Sequence, residues 1–390
     1  MGKKQDDRRV IRTKHMLKET LLTLLVDKNY SDITVNDICD LAQYSRVTFY
    51  AHYEDKKTLL NEMIQDKING LFESIYKSDT NGKSLVKVTV DSWIINLFQF
   101  INENADFFQL VYARKIVPTA FENLYRGIWK FLNEEITITY NIPLKTRLNQ
   151  EAYIHYLSSA VFSVIHYWIR EGFAYSPKYM AKQLHEIFKR PIENLFQPNH
   201  YEVEVERKFV KLDPRIRRTK KSFKQSLISL LSVSPYHEIT IKQITETALC
   251  NRVTFYSHYQ NKEHLLKEII DEKNSGLIDA LHRSYLSTAL SHKIENHQLP
   301  LFYYLKEHSN LYKLMSSQNK NSCLSKDIYE KIYQYHQKQL QLSHSMEKEM
   351  NQDAFNHFIT GGLIGVITYW TSEQGAMVNS NRLKQVREDF

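Results

Sequence analysis

Apolar side chains recur at three- and four-residue spacing through most of the chain. Leu17, Leu21, Leu24 and Leu25 fall on one helical face, and Phe223, Leu227, Leu230 and Leu231 do the same 206 residues later, so each set predicts an amphipathic helix. Behind the first set, Thr34 stands at an N-cap position before VNDICDLA, a short helix predicted to bury Ile38, Leu41 and Ala42. A turn at Gln43 and Tyr44 leads to a second cap, Ser45, and a second short helix containing RVTFYAHY. Thr240 and Asn251 are the corresponding caps further on. Phe49 and Tyr53 lie one turn apart and face a core, which leaves Arg46, Val47, Thr48, Tyr50 and His52 outward.

This pattern is an internal repeat. ITVNDICDLAQYSRVTFYAHYEDKKTLL, from Ile33, returns without a gap as ITIKQITETALCNRVTFYSHYQNKEHLL, from Ile239, with RVTFY identical. The repeat continues more weakly: FQFINENADFFQL from Phe98 corresponds to FYYLKEHSNLYKL from Phe302, and AVFSVIHYWIREG from Ala160 to GLIGVITYWTSEQG from Gly362. The junction falls near Pro198 to Val205, where QPNHYEVEVE breaks the helical pattern. The expected organisation is residues 1–60 and 206–266 as two small three-helix domains, with 61–198 and 267–390 as the helical domains that follow them.

Two short helices across a tight turn present the N-terminal residues of the second helix to a DNA major groove. Arg46 suits a bidentate pairing with guanine, Val47 and the Thr48 methyl suit a thymine methyl, and Tyr50 and His52 can donate to phosphate. Lys56 opens the next helix, where first-turn N–H groups would also receive a phosphate. The basic residues before each first helix, Lys3, Lys4, Arg8, Arg9 and Arg12, then Lys208, Lys211, Arg215, Arg217 and Arg218, either reach phosphates and the minor groove or form a solvated arm.

TVNDICDLAQYSRVTFYAHYEDKKTLL resembles the signature of the TetR family of transcriptional regulators, in which a Thr opens the second helix and a Tyr, His and Lys close the motif. The resemblance implies an all-α fold of two TetR-like units, each a helix-turn-helix domain followed by a helical regulatory domain, packed as a pseudo-dimer. It assigns DNA contacts to Thr34, Arg46, Val47, Thr48, Tyr50, His52 and Lys56, and to Thr240, Arg252, Val253, Thr254, Tyr256, His258 and Lys262. The family carries Gly in the turn where this chain has Gln43 and Leu249, so a non-glycine residue is expected there at positive φ. The regulatory half also resembles TetR-like regulators of dihydroxyacetone metabolism. In the family that half encloses a ligand pocket, for which Trp93, Phe108, Tyr112, Tyr125 and Trp129 are the candidates here, although aromatics at this spacing equally build a core.

Composition agrees with helices: only 10 glycines and 8 prolines occur in 390 residues, too few for a turn-rich sheet protein. A net charge of +8 suits a polyanionic partner, here double-stranded DNA. Three cysteines without paired spacing argue against disulfides and zinc. The charged start, MGKKQDDRRV, lacks the apolar core of a signal peptide, and no apolar run is long enough to span a bilayer, so a cytoplasmic protein with no membrane partner is expected. No catalytic motif, metal site or cofactor motif stands out, and no enzyme activity is expected.

Two copies allow one chain to supply both recognition helices, with helices at 152–170 and 178–196 packing against 353–371 and a shorter one at 381–390. Because Arg46–Tyr50 and Arg252–Tyr256 are identical, the operator should be palindromic, and its regulator a repressor released by a small-molecule effector. A homodimer carrying four motifs is left open. The competing reading is a DNA-docked adaptor or co-activator that binds a protein partner through its regulatory halves.

Overall fold

The computed structural model describes residues 3–76, 90–114, 118–139, 150–189, 213–290, 299–309, 311–312, 323–342 and 350–371. The described residues are helical, with no strand among them. The chain divides into two compact units: Met1–Arg190 with Glu349–Gly365, and Pro191–Lys348 with Val366–Phe390.

Unit 1 opens with α1 (Lys3–Asp27), α2 (Val35–Ala42), α3 (Arg46–Tyr50) and α4 (Lys56–Tyr76). Leu17, Leu21 and Leu25 of α1 are buried with Ile33, Ile38, Phe49, Tyr53 and Leu59. Leu24 is only half-buried. Leu41 of α2 departs from expectation, being 52% exposed, while Cys39 is buried instead. The buried arc of α2 spans Ile38, Cys39 and Ala42, and Leu41 lies about 110° around the helix from its centre.

The helices that follow in unit 1 are α5 (Val90–Glu103), α6 (Ala105–Arg114), α7 (Pro118–Thr139), α8 (Gln150–Arg170) and α9 (Pro177–Phe188). Trp168 is its anchor: fully buried, edge-on to Phe98 at 5.1 Å, with its indole Nε1 donating to the Tyr175 carbonyl at 2.8 Å. That bond ties the end of α8 to the turn before α9, which Ser176 caps and Pro177 starts. The described part of the second segment of unit 1, residues 350–365, packs on α8 and α9. Phe358 meets Tyr156 and Phe188 at 6.0 and 5.7 Å, and His357 stacks on Tyr167 at 4.7 Å. Gly361 and Gly365 let the backbones approach, since a Cβ on either would lie 2.3 Å from Ser163 or Ser159.

Unit 2 repeats the opening with α10 (Pro214–Leu231), α11 (Ile241–Thr247), α12 (Arg252–Tyr256) and α13 (Lys262–Leu290), followed by α14 (Leu299–Glu307) and α15 (Cys323–Leu342). α16 (Gln352–Thr371) spans the division, its residues 352–365 lying in unit 1 and 366–371 in unit 2. Phe223, Leu227, Ile239, Ile244, Phe255 and Tyr259 fill the core of the second three-helix motif, with Leu230 and Leu231 half-buried.

Two boundaries expected from the sequence fall inside single helices. α4 runs through 60/61 and α13 through 266/267, because the helix that completes each small core continues into the helical part that follows it. The described basic residues do not precede the first helices but lie in them: α1 already begins at Lys3, and Arg215, Arg217 and Arg218 lie in the first turns of α10. The junction at 198–205, Lys208, Lys211 and the helix expected at 381–390 lie outside the described residues, as do 190–196 and the side chains of Lys3 and Lys4.

Candidate nucleic-acid interface

Each motif is built by its caps. Thr34 Oγ1 accepts from Asp37 N at 3.1 Å while the Asp37 carboxylate accepts from Thr34 N at 2.7 Å, a reciprocal box that satisfies two free donors at the start of α2. Thr240 and Gln243 form the same box at 3.2 and 2.8 Å. Bonds from Thr34 and the Lys28 ammonium hold the Asp37 carboxyl well below the usual carboxylate range.

Gln43 and Leu249 both adopt the left-handed conformation, at φ 57° and 54°. The chain leaves α2 with Tyr44 N donating to the Cys39 carbonyl and Gln43 N to that of Asp40, and leaves α11 with the equivalent bonds from Cys250 and Leu249. This Schellman closure is the glycine-favoured ending. The tight turn is therefore kept without its glycine, at about 1–2 kcal/mol of backbone strain per position.

Ser45 Oγ then accepts from Thr48 N at 3.1 Å, and Asn251 Oδ1 from Thr254 N at 2.7 Å. The Thr48 and Thr254 hydroxyls also bond these caps, at 2.9 and 2.8 Å, so the methyl is what each threonine retains for a base. Phe49 and Phe255 are fully buried beneath. Arg46 and Arg252 are exposed, as are Val47 (80%), Val253 (78%), Tyr50 (49%) and Tyr256 (57%). His52 and His258 are half-buried. The Arg46 guanidinium lies 5.8 Å from the Tyr50 ring, a cation–π spacing within the exposed row. Each short helix thus offers one cation, one apolar patch and one phenol from a rigid base.

Lys56 and Lys262 are placed differently from the sequence expectation. The Lys56 ammonium donates to the carbonyls of Tyr30, Ser31 and Ile33 at 2.8, 3.2 and 2.6 Å and lies 4.6 Å from the Tyr30 ring. Lys262 repeats the arrangement on Tyr236, His237 and Ile239 at 3.0, 3.4 and 2.7 Å. Both cations are committed to the loop that enters α2 or α11. Nor is the first turn of α4 open to phosphate as expected: Asp55 Oδ1 accepts from Thr58 N at 2.7 Å. Asn261 makes the corresponding cap to His264 N at 2.8 Å in unit 2, with no charge. A carboxylate at a helix N-terminus already satisfies the site a phosphate would take.

The aromatic residues proposed for a ligand pocket are not gathered in one place. Trp93 is buried against Phe131 and Phe188 at 5.3 and 6.1 Å, and Phe108 against Phe107 at 5.3 Å. Tyr112, Tyr125 and Trp129 instead line the α8 face that carries His155, Phe162 and His166. There the Tyr125 hydroxyl and His155 Nδ1 are 2.9 Å apart, and the buried Trp129 Nε1 has no partner among the described residues.

Residues 19–63 match the model of bacterial regulatory proteins of the tetR family. Two segments, 89–190 and 292–376, match a transcriptional regulator C-terminal region of the same family. The chain belongs to the TetR family. It is 26% identical over 270 residues, 68% of each chain, to the uncharacterized HTH-type transcriptional regulator YxbF of Bacillus subtilis (strain 168). Over 61 residues it is 34% identical to DhaS, an HTH-type dhaKLM operon transcriptional activator of Lactococcus lactis subsp. lactis (strain IL1403), covering 16% of this chain and 33% of DhaS. As a TetR-family protein the chain is a DNA-binding transcriptional regulator and not an enzyme. No helix among the described residues is long and apolar enough to cross a membrane.

Proposed function

We propose that this TetR-family regulator arose by tandem duplication and reads a palindromic operator with two recognition helices from one chain, acting as a cytoplasmic repressor that a small ligand releases. The observation carrying this reading is the matched presentation of Arg46–Tyr50 and Arg252–Tyr256, identical in sequence, capped at the same position by Ser45 and Asn251, and exposed at the same positions. Thr34 and Thr240 frame the motifs, His52 and His258 flank them, and Lys56 and Lys262 act by holding the loops in place. Residues 349–365, from the second repeat, belong to unit 1 with α8 and α9, which supports an intramolecular pseudo-dimer. The neutral Asn261 cap makes the second motif the stronger holder of DNA. The partial likeness to DhaS, an activator, favours activation as the second reading.

Arg46→Ala and Arg252→Ala test it. Each should lose about 1–3 kcal/mol of specific affinity if both motifs read bases, measured by fluorescence anisotropy on the selected operator. Unchanged affinity in either variant would overturn two-motif reading.

A further inference from the structure

The two regulatory halves can be compared position by position. The offset of 206 persists along α4 and α13, where Gly70 matches Gly276 and where Lys67 reaches Asn104 at 3.0 Å just as Lys273 lies 3.3 Å from His308. Between α7 and α15 the ring contacts fix the match: Tyr76 meets Phe131 at 5.4 Å, and His282 meets Tyr335 at 6.1 Å. On this alignment the buried Ile68, Phe131 and Leu132 of unit 1 become the buried Asn274, Tyr335 and His336 of unit 2.

Part of this polar interior satisfies itself. His282 Nδ1 and the Tyr335 hydroxyl are 3.0 Å apart, as are the Tyr285 hydroxyl and His336 Nε2. Asn274 does not: it is 1% exposed, and neither its amide nitrogen nor its oxygen has a partner among the described residues. Gln339, one turn beyond Tyr335, also has both amide atoms buried without partners. A buried amide left unbonded is a standing cost that isoleucine at the same place does not carry. On α13, Asn274 sits between Asp271, paired with Lys331 of α15 at 3.3 Å, and His282. About three turns further on and nearly in line with Asn274, the Tyr285 hydroxyl meets His336 of α15, so Asn274 shares the face turned to α15. The orphaned Trp129 Nε1 of unit 1 offers one donor only, whereas Asn274 offers a donor and an acceptor side by side.

We propose that the seam between α13 and α15 of unit 2 binds a small uncharged molecule bearing an adjacent hydrogen-bond donor and acceptor, such as a carboxamide or lactam, held by the Asn274 amide. An uncharged ligand follows from the surroundings: Asp271 and Lys331 neutralise each other, and burial holds His282 and His336 in their neutral forms. α13 also carries Lys262, the latch on the second motif's loop, so occupancy of the seam bears on the helix that positions that motif. This inference rests on the regulator reading for its consequence, not for the binding itself.

The test uses the full chain with its asparagine side chains labelled with 15N, titrated with benzamide, nicotinamide and 2-pyridone. At least one compound is expected to shift the Asn274 side-chain resonances and raise the melting temperature. Asn274→Ile and Asn274→Leu should abolish both responses while raising the ligand-free melting temperature by about 2–8 °C. If no compound shifts those resonances and they show transfer only to water, or if both variants respond like the wild type, the inference fails. If binding occurs and DNA affinity does not change, the seam stands and ligand release from DNA fails.

Discussion

Lys56→Met separates a latch from a DNA contact. The substitution keeps the stem and removes an ammonium that donates to three backbone carbonyls at 2.6–3.2 Å. A single hydrogen bond from a charged donor contributes roughly 1.5–3 kcal/mol net. The three share one ammonium, so they do not add, and Ser31 is exposed enough for water to replace its bond. The expected loss is therefore about 2 kcal/mol, or ~4–8 °C in melting temperature for a unit of this size. Lys262→Met should behave alike. Thermal melts, run beside DNA affinity across a salt series, distinguish the roles. A phosphate contact would leave the melt unchanged and reduce the slope of log affinity against log salt by about 0.9. That outcome would refute the latch.

Two further effects follow from the same geometry. Gln43→Gly and Leu249→Gly relieve positive φ at exposed turns and should each stabilise by about 0.5–1 kcal/mol after the unfolded chain's added entropy; urea midpoints that fall would contradict this. Burial, reinforced by the Arg170 charge, pushes the His357 imidazole down to about 3. The unfolded chain therefore takes up a proton below pH 6.5 that the fold refuses, so this stability is whole above pH 6.5 and falls with acid. His357→Phe, which keeps the ring on Tyr167, should recover about 2 kcal/mol of the loss between pH 7 and 5; an unaltered pH slope in urea melts would count against it.

The motif was legible because its determinants are local. Caps at Thr34, Ser45, Thr240 and Asn251 bond residues three positions on, and the missing glycine predicts the positive φ found at Gln43 and Leu249. What was not legible depended on tertiary partners. Nothing near Lys56 in sequence announces that its ammonium reaches back 26 residues to Tyr30, and the aromatic candidates divide between separate packing faces that composition alone does not distinguish. The exposure of Leu41 is not legible either, because a helix of eight residues offers too few positions to fix the centre of its buried arc. The Ile68 to Asn274 replacement was present in the sequence, but it gains meaning only once both positions are known to be buried.

The proposed function requires one chain to present two equivalent base-reading helices. Selection of duplexes bound by the full chain from a random pool tests it most directly. Enrichment of one half-site repeated in inverted orientation at a fixed spacing is expected. Enrichment of a single unrepeated half-site, or of two unrelated ones, would contradict it.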